Sequence, residues 1–170
     1  MSKAFVREDA DSSDEPVAPV SALPPGTRNL ITPDGALRLR AELRRLLDEE
    51  RPRWSGLPRD ADTKRELEKL DRRIRHLQQS LFSAEIVPVP APPHLQVRFG
   101  ATVTVRDSQG VEAHYRIVGV DELDSERGWV SWLSPLARAL QNAPLGERVT
   151  FATPSGPQEL EIVAINYPAA

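Results

Sequence analysis

The sequence predicts an α+β protein: an N-terminal antiparallel helical hairpin of coiled-coil type, then a small antiparallel β domain with one helix. Three observations carry this. In Thr63–Phe82 the large apolar residues Leu67, Leu70, Ile74, Leu77 and Leu81 follow at steps of 3, 4, 3 and 4. That 3.5-residue period marks a helix packing along another helix. Upstream, Ala36, Leu39, Leu43 and Leu46 repeat in the same way. After Arg98 the period falls to two, as in Thr102-Val103-Thr104-Val105, where alternate residues face opposite sides of a strand.

The first helix has a clear start. Thr32 suits the N-cap, Pro33 the first helical position, and Asp34 the positive end of the helix dipole. Leu37 and Leu47 widen its apolar stripe. Arg51-Pro52 marks a kink or an end, because proline lacks the amide the helix needs. Ser55-Gly56-Leu57-Pro58 has turn composition. The second helix starts near Asp60 or Asp62 and runs to about Ala84. At 1.5 Å per residue it spans about 33 Å.

Val87–Pro93 is proline-rich and reads as a stiff spacer of polyproline type. Beyond it, strands are expected around Val103, around Tyr115–Val118 after a Ser108-Gln109-Gly110 turn, and at Gly128–Trp132. Ser134-Pro135 opens a helix from Leu136 to about Gln141. Further strands hold Val149 with Phe151, and Leu160 with Ile162 and Ile165. Trp129 and Trp132, three apart on a strand, are expected on opposite faces, one in the core and one open to a partner. The expected organisation is a disordered tail over 1–29, the hairpin over 30–84, a linker over 85–97 and a globular domain over 98–168.

The formal charge of −3 is unevenly spread. Residues 1–30 carry three basic and five acidic side chains, residues 31–84 carry 13 and 10, and residues 85–170 carry 6 and 10. A mildly basic segment between acidic ones argues against free duplex nucleic acid as the main ligand. The chain has no cysteine, so no disulfide, thiol nucleophile or cysteine-based metal site. His76, His94 and His114 lack ligand spacing. No apolar run reaches membrane-span length, and the first residues do not form a signal peptide, so a cytoplasmic protein without a membrane partner is expected. Residues 1–29, rich in Asp, Ser, Pro and Ala, read as a solvated tail in which Lys3-Ala4-Phe5-Val6-Arg7 could serve as a short docking motif.

Several blocks resemble one family: Leu30-Ile31-Thr32-Pro33-Asp34-Gly35, Glu49-Glu50-Arg51-Pro52, Leu70-Asp71-Arg72-Arg73-Ile74-Arg75 and Phe99-Gly100-Ala101. Two more follow, Tyr115-Arg116-Ile117-Val118-Gly119-Val120-Asp121-Glu122 and Ser134-Pro135-Leu136-Ala137-Arg138-Ala139-Leu140. In order and spacing they resemble the Gre family of bacterial transcript-cleavage factors, GreB-like more than GreA-like, over about residues 30–167. The resemblance implies a coiled coil followed by an FKBP-like domain, acting as a monomer on bacterial RNA polymerase. The domain would dock at the rim of the secondary channel through Leu133, Ser134, Pro135 and Arg138, with Asp121 and Glu122 nearby. The coil would enter the channel, near the nascent RNA 3′ end. Acidic tip residues would help hold a second Mg²⁺ at the polymerase active site, the chain having no cofactor or catalytic residue of its own.

The tip departs from the family pattern. Cleaving members carry a Gly-Asp-x-x-Glu-Asn-x-x-Tyr stretch that is absent here, and the hairpin is short. Ser55-Gly56-Leu57-Pro58-Arg59-Asp60-Ala61-Asp62 stands there instead, leaving Asp60 and Asp62 as the tip carboxylates. Three readings are open: one of them caps the second helix, the two share the metal, or they do neither. Leu133 replaces the Asp or Asn that many members carry before the Ser-Pro. Arg72, Arg73 and Arg75 suit RNA or channel contact and equally a solvated face paired with Glu68 and Asp71. Two other functions remain open: an occluder that competes with cleavage factors without stimulating cleavage, and an FKBP-like prolyl isomerase.

Overall fold

The structure is a computed structural model, and it describes residues 23–168. The expected tail and its Lys3–Arg7 motif lie mainly in residues 1–22, outside the described residues. A short strand β1 (Asn29–Ile31) leads into helix α1 (Pro33–Arg45). Thr32 caps α1: its Oγ1 accepts from the Gly35 amide at 3.0 Å, and Pro33 fills the first turn.

Pro52 does not end the helix. A π-helical turn (Leu46–Glu50) intervenes, in which the Arg51 amide reaches back to the Leu46 carbonyl, and helix α2 (Arg51–Ser55) continues. The wider turn absorbs the proline, which needs no hydrogen-bond partner and whose ring requires space from the preceding turn. A turn at Gly56–Leu57 leads to helix α3 (Ala61–Ser83). The first arm therefore spans residues 33–55 and the second 61–83, each about 34 Å long.

The arms run antiparallel. Arg73 makes a two-pronged contact with Glu42 at 2.9 and 3.0 Å, and Arg51 reaches Asp71 at 2.8 Å. Between the arms, Ala36, Leu39, Leu46, Ile74 and Leu77 are buried with Ile31, and Leu43, Leu70 and Leu81 pack against them. The expected seam is thus the observed one except at its tip end: Leu67 lies outside the cluster and is only half-buried. Leu37 and Leu47 do not extend the seam; they are 65% and 39% exposed.

Strand β2 (Ala84–Ile86) follows α3 directly and pairs in parallel with β1, so the two ends of the hairpin are clasped at its base. The spacer is shorter than expected. Glu85 and Ile86 belong to this strand, Val87 donates to the Ile31 carbonyl at 3.0 Å, and at the far end Val97 is fully buried in the next core.

The globular part is a five-stranded sheet in the order β5-β4-β3-β7-β6, formed by β3 (Thr102–Arg106), β4 (Glu112–Val118), β5 (Trp129–Ser131), β6 (Arg148–Thr153) and β7 (Gly156–Asn166). All pairs are antiparallel except β4 with β5, which run parallel, a departure from the expected wholly antiparallel sheet. The reason is the connection: β4 leaves through a 3₁₀ turn (Val120–Glu122) and returns to place β5 alongside in the same direction. Helix α4 (Pro135–Leu140) covers one face. Val97, Val103, Val105, Ile117, Ala137, Leu140 and Ile162, all fully buried, fill the space between helix and sheet.

Candidate functional site

The residues singled out by sequence lie at the hairpin tip, along its second arm, in the loop before α4, and at the junction joining hairpin to domain.

At the tip, Asp60 has extended backbone, and its Oδ1 accepts from the Thr63 amide at 2.8 Å. Hydrogen bonding to Thr63 holds the Asp60 carboxyl below its ordinary value. It is the N-cap of α3. Asp62, in the first turn, has a side chain 91% exposed and lies 3.8 Å from Arg65. The two side chains are therefore engaged separately, one along its own helix end and the other towards solvent. Among the described residues, no three His, Asp or Glu side chains are grouped to hold a metal ion. Arg59 at the turn is exposed, as is Arg53 on the first arm.

Before α4, the Ser134 Oγ accepts from the Ala137 amide at 3.2 Å and caps the helix, with Pro135 in its first turn. The Leu133 amide donates to Ser131 Oγ at 3.1 Å. Pro135 and Arg138 are exposed, and Leu133 and Ser134 half-buried, so the block presents a small, rigid, mixed surface. Arg72 and Arg75 are exposed on the second arm, whereas Arg73 is engaged with Glu42 across the hairpin.

The junction corrects the sequence reading. Asp121 and Glu122 are not free for an outside partner. The Glu122 side chain is 1% exposed. Its Oε2 accepts from the Thr32 amide at 2.9 Å and the Gly119 amide at 3.0 Å, and its Oε1 accepts from the Thr32 hydroxyl and from Arg38 at 3.3 Å. A buried carboxylate persists only with such donors around it. Two glycines make the approach possible. A Cβ on Gly35 would lie 1.8 Å from Glu122 Oε1, and one on Gly119 would lie 2.2 Å from the Leu30 carbonyl oxygen. Asp121 faces the other arm, within 2.7 Å of His76 Nε2, and accepts from the Ser80 hydroxyl.

Beside this turn, Asp34 receives two hydrogen bonds from Arg116 at 2.6 and 2.9 Å and one from Arg38 at 2.7 Å. The Arg116 contact foremost, helped by Arg38, holds the Asp34 carboxyl well below the usual carboxylate range against the opposing pull of burial. Trp129 is neither a core residue nor an open anchor. The guanidinium groups of Arg38, Arg116 and Arg127 lie 4.5, 4.9 and 5.3 Å from its ring centroid. Trp132 lies just past β5 and packs against the sheet core.

Known proteins resemble this chain in sequence. A family model described as "Transcription elongation factor, GreA/GreB, C-term" matches residues 92–167. The transcription elongation factor GreB of Neisseria meningitidis is 39% identical over 155 residues, covering 83% of this chain and 95% of that protein. The GreB of Pseudomonas aeruginosa is 40% identical over 163 residues, covering 86% and 96%. The GreA of Thioalkalivibrio sulfidiphilus is 36% identical over 152 residues, covering 81% and 96%. The solved structure of the GreA factor homolog Gfh1 of Thermus thermophilus aligns over 82% of this chain and 99% of that one, at 23% identity and a TM-score of 0.40. Identity at this level over most of both chains establishes kinship, and the chain belongs to the GreA/GreB family of transcription elongation factors.

Proposed function

We propose that the protein binds bacterial RNA polymerase and regulates transcription elongation, with the globular domain docked at the rim of the secondary channel and the hairpin inserted into it. In this reading residues 30–84 are a coiled-coil probe and residues 98–168 an FKBP-like docking domain, and the chain works as a monomer. It is not the catalyst: any RNA cleavage is done by the polymerase. The observation that carries the reading is the pairing of parts in a chain of this family. A hairpin with arms of about 34 Å is clamped to a domain that presents Leu133, Ser134, Pro135 and Arg138. Arg72 and Arg75 supply exposed positive charge along the probe for the channel wall or the nascent RNA 3′ end.

The tip favours the non-cleaving version of this function. Stimulating cleavage by the family route requires carboxylates that converge on the polymerase Mg²⁺, at bond lengths of about 2.1 Å. One Asp60 oxygen is committed to the Thr63 amide, and Asp62 points to solvent. With these two carboxylates engaged separately and the family's acidic stretch absent, the protein is read as occupying the channel and competing with cleaving relatives. The prolyl-isomerase alternative gains nothing from the structure, since Val97, Ala137, Leu140 and Ile162 fill the space between α4 and the sheet.

The test is a binding and competition experiment. The purified protein should bind core polymerase and reduce cleavage stimulated by an authentic cleavage factor in backtracked complexes. Failure to bind polymerase would remove the proposal.

A further inference from the structure

We infer that the Val120–Glu122 turn is a clamp that sets the direction of the hairpin, with Asp121 and Glu122 as positioning residues for the tip. The inference rests on the proposed function for its purpose and on geometry alone for its mechanism.

Adjacent side chains of one short turn take opposite arms. Glu122 holds the start of the first arm through Thr32 and Arg38. Asp121 holds the second arm through His76, about two helical turns before its end, and through Ser80 in its last turn. A single contact would leave the hairpin free to pivot; contacts to both arms remove that freedom. Further ties converge on the same place. Arg116, 8% exposed and on β4, grips Asp34 two residues beyond the cap. Gly119 sits so close to the Leu30 carbonyl that any side chain there would push the base strand away. The Thr32 hydroxyl both caps α1 and donates to Glu122, so the helix start and the clamp share one atom.

The long arm makes this consequential. A rotation of about 10° at the base would move the tip about 6 Å over an arm of about 34 Å. Errors on the order of 1 Å already matter where a probe must meet a reacting centre. The docking surface at Ser134 and Pro135 follows β5, which itself pairs with β4 directly ahead of the clamp. The clamp therefore links the surface that would fix the domain to the arms that carry the tip.

The chain has no cysteine, so spin labels can be placed cleanly. Ser55→Cys at the tip and Ser108→Cys in the β3–β4 turn are both exposed positions. Pulsed electron-spin distances would be measured in the free protein for wild type, Glu122→Gln, and His76→Ala/Ser80→Ala. The second variant keeps the buried carboxylate cluster intact if the first fails to fold. One narrow distance is expected in the wild type, and a distribution about twofold broader in the variants. Unchanged distributions in folded variants overturn the clamp. These distances test the clamp whether or not the chain acts on polymerase. A second measurement tests the positioning role: the released variants should bind polymerase within about threefold of wild type yet lose most of their effect on transcription at saturation. Full effect at saturation in a variant with a broadened distribution overturns that role.

Discussion

Asp121 and Glu122 are neighbours in sequence, yet one holds the second arm of the hairpin and the other the first. The Glu122 carboxylate sits where four donors meet, and Gly35 is the residue that leaves room for it. Gly35→Ala should displace that carboxylate, stranding the Thr32 and Gly119 amides. The expected loss is about 2 kcal/mol or more, the cost of buried polar groups left unpaired. Urea unfolding followed by circular dichroism measures it, and a loss below about 0.5 kcal/mol would contradict the packing described.

The hairpin seam makes a second prediction. Leu77 is fully buried and Ile74 is 6% exposed. Leu77→Ala should cost about 2–5 kcal/mol as lost burial plus cavity. Ile74→Asp should cost at least several kcal/mol, because it places an unpaired charge in the seam. A melting temperature unchanged by either would mean the arms do not pack as described.

Asp34 makes stability depend on acid. Its folded carboxyl is held below the unfolded value by Arg116 and Arg38, so the contribution is fully present above the unfolded pKa near 4. It is lost progressively as pH falls below that value towards the folded pKa. Because the side chain is 40% exposed, solvent screening reduces the effect. Asp34→Asn should therefore be less stable than wild type at pH 7, with the gap closing as the pH is lowered through about 4 and below. A gap independent of pH would assign the loss to something other than the carboxylate charge.

The docking surface is tested by Pro135→Ala/Arg138→Glu. Both side chains are exposed, so the fold should survive by circular dichroism. Polymerase affinity should fall about tenfold or more, since reversal of a contacting charge is costly at an interface. Undiminished affinity would move the docking surface elsewhere.

Much of the fold was legible because local rules and tertiary outcome agree. The 3-4-3-4 spacing gave the helical seam, Thr32-Pro33-Asp34 gave the start of α1, and the change of period after Arg98 placed the strands. The misses lie where long-range contacts decide. Arg51-Pro52 reads as a kink or an end, and which of the two it is, a π-helical turn with the helix continuing beyond, is not written in the local pattern. The parallel pairs β1–β2 and β4–β5 depend on chain routing that no local pattern records. Asp121 and Glu122 read as surface acids, because nothing in a sequence window shows that Thr32, Arg38, His76 and Ser80 will surround them. Of the two tryptophans, one was expected in the core and one open to a partner; Trp132 packs against the core, and three arginines from different elements lie over Trp129. At the tip, Asp-x-Asp left capping and metal sharing open, and the bond from the Thr63 amide shows Asp60 as the cap.

The most direct test of the functional account is RNA cleavage in backtracked elongation complexes, comparing wild type with Asp60→Asn/Asp62→Asn. Asparagine caps a helix about as well as aspartate, so the double variant removes charge while keeping the hairpin end intact. The account predicts no stimulation of cleavage by either protein, retained polymerase binding, and inhibition of an authentic cleavage factor by both. Strong cleavage by wild type that vanishes in the double variant would contradict it, because the two aspartates would then be reaching the polymerase metal.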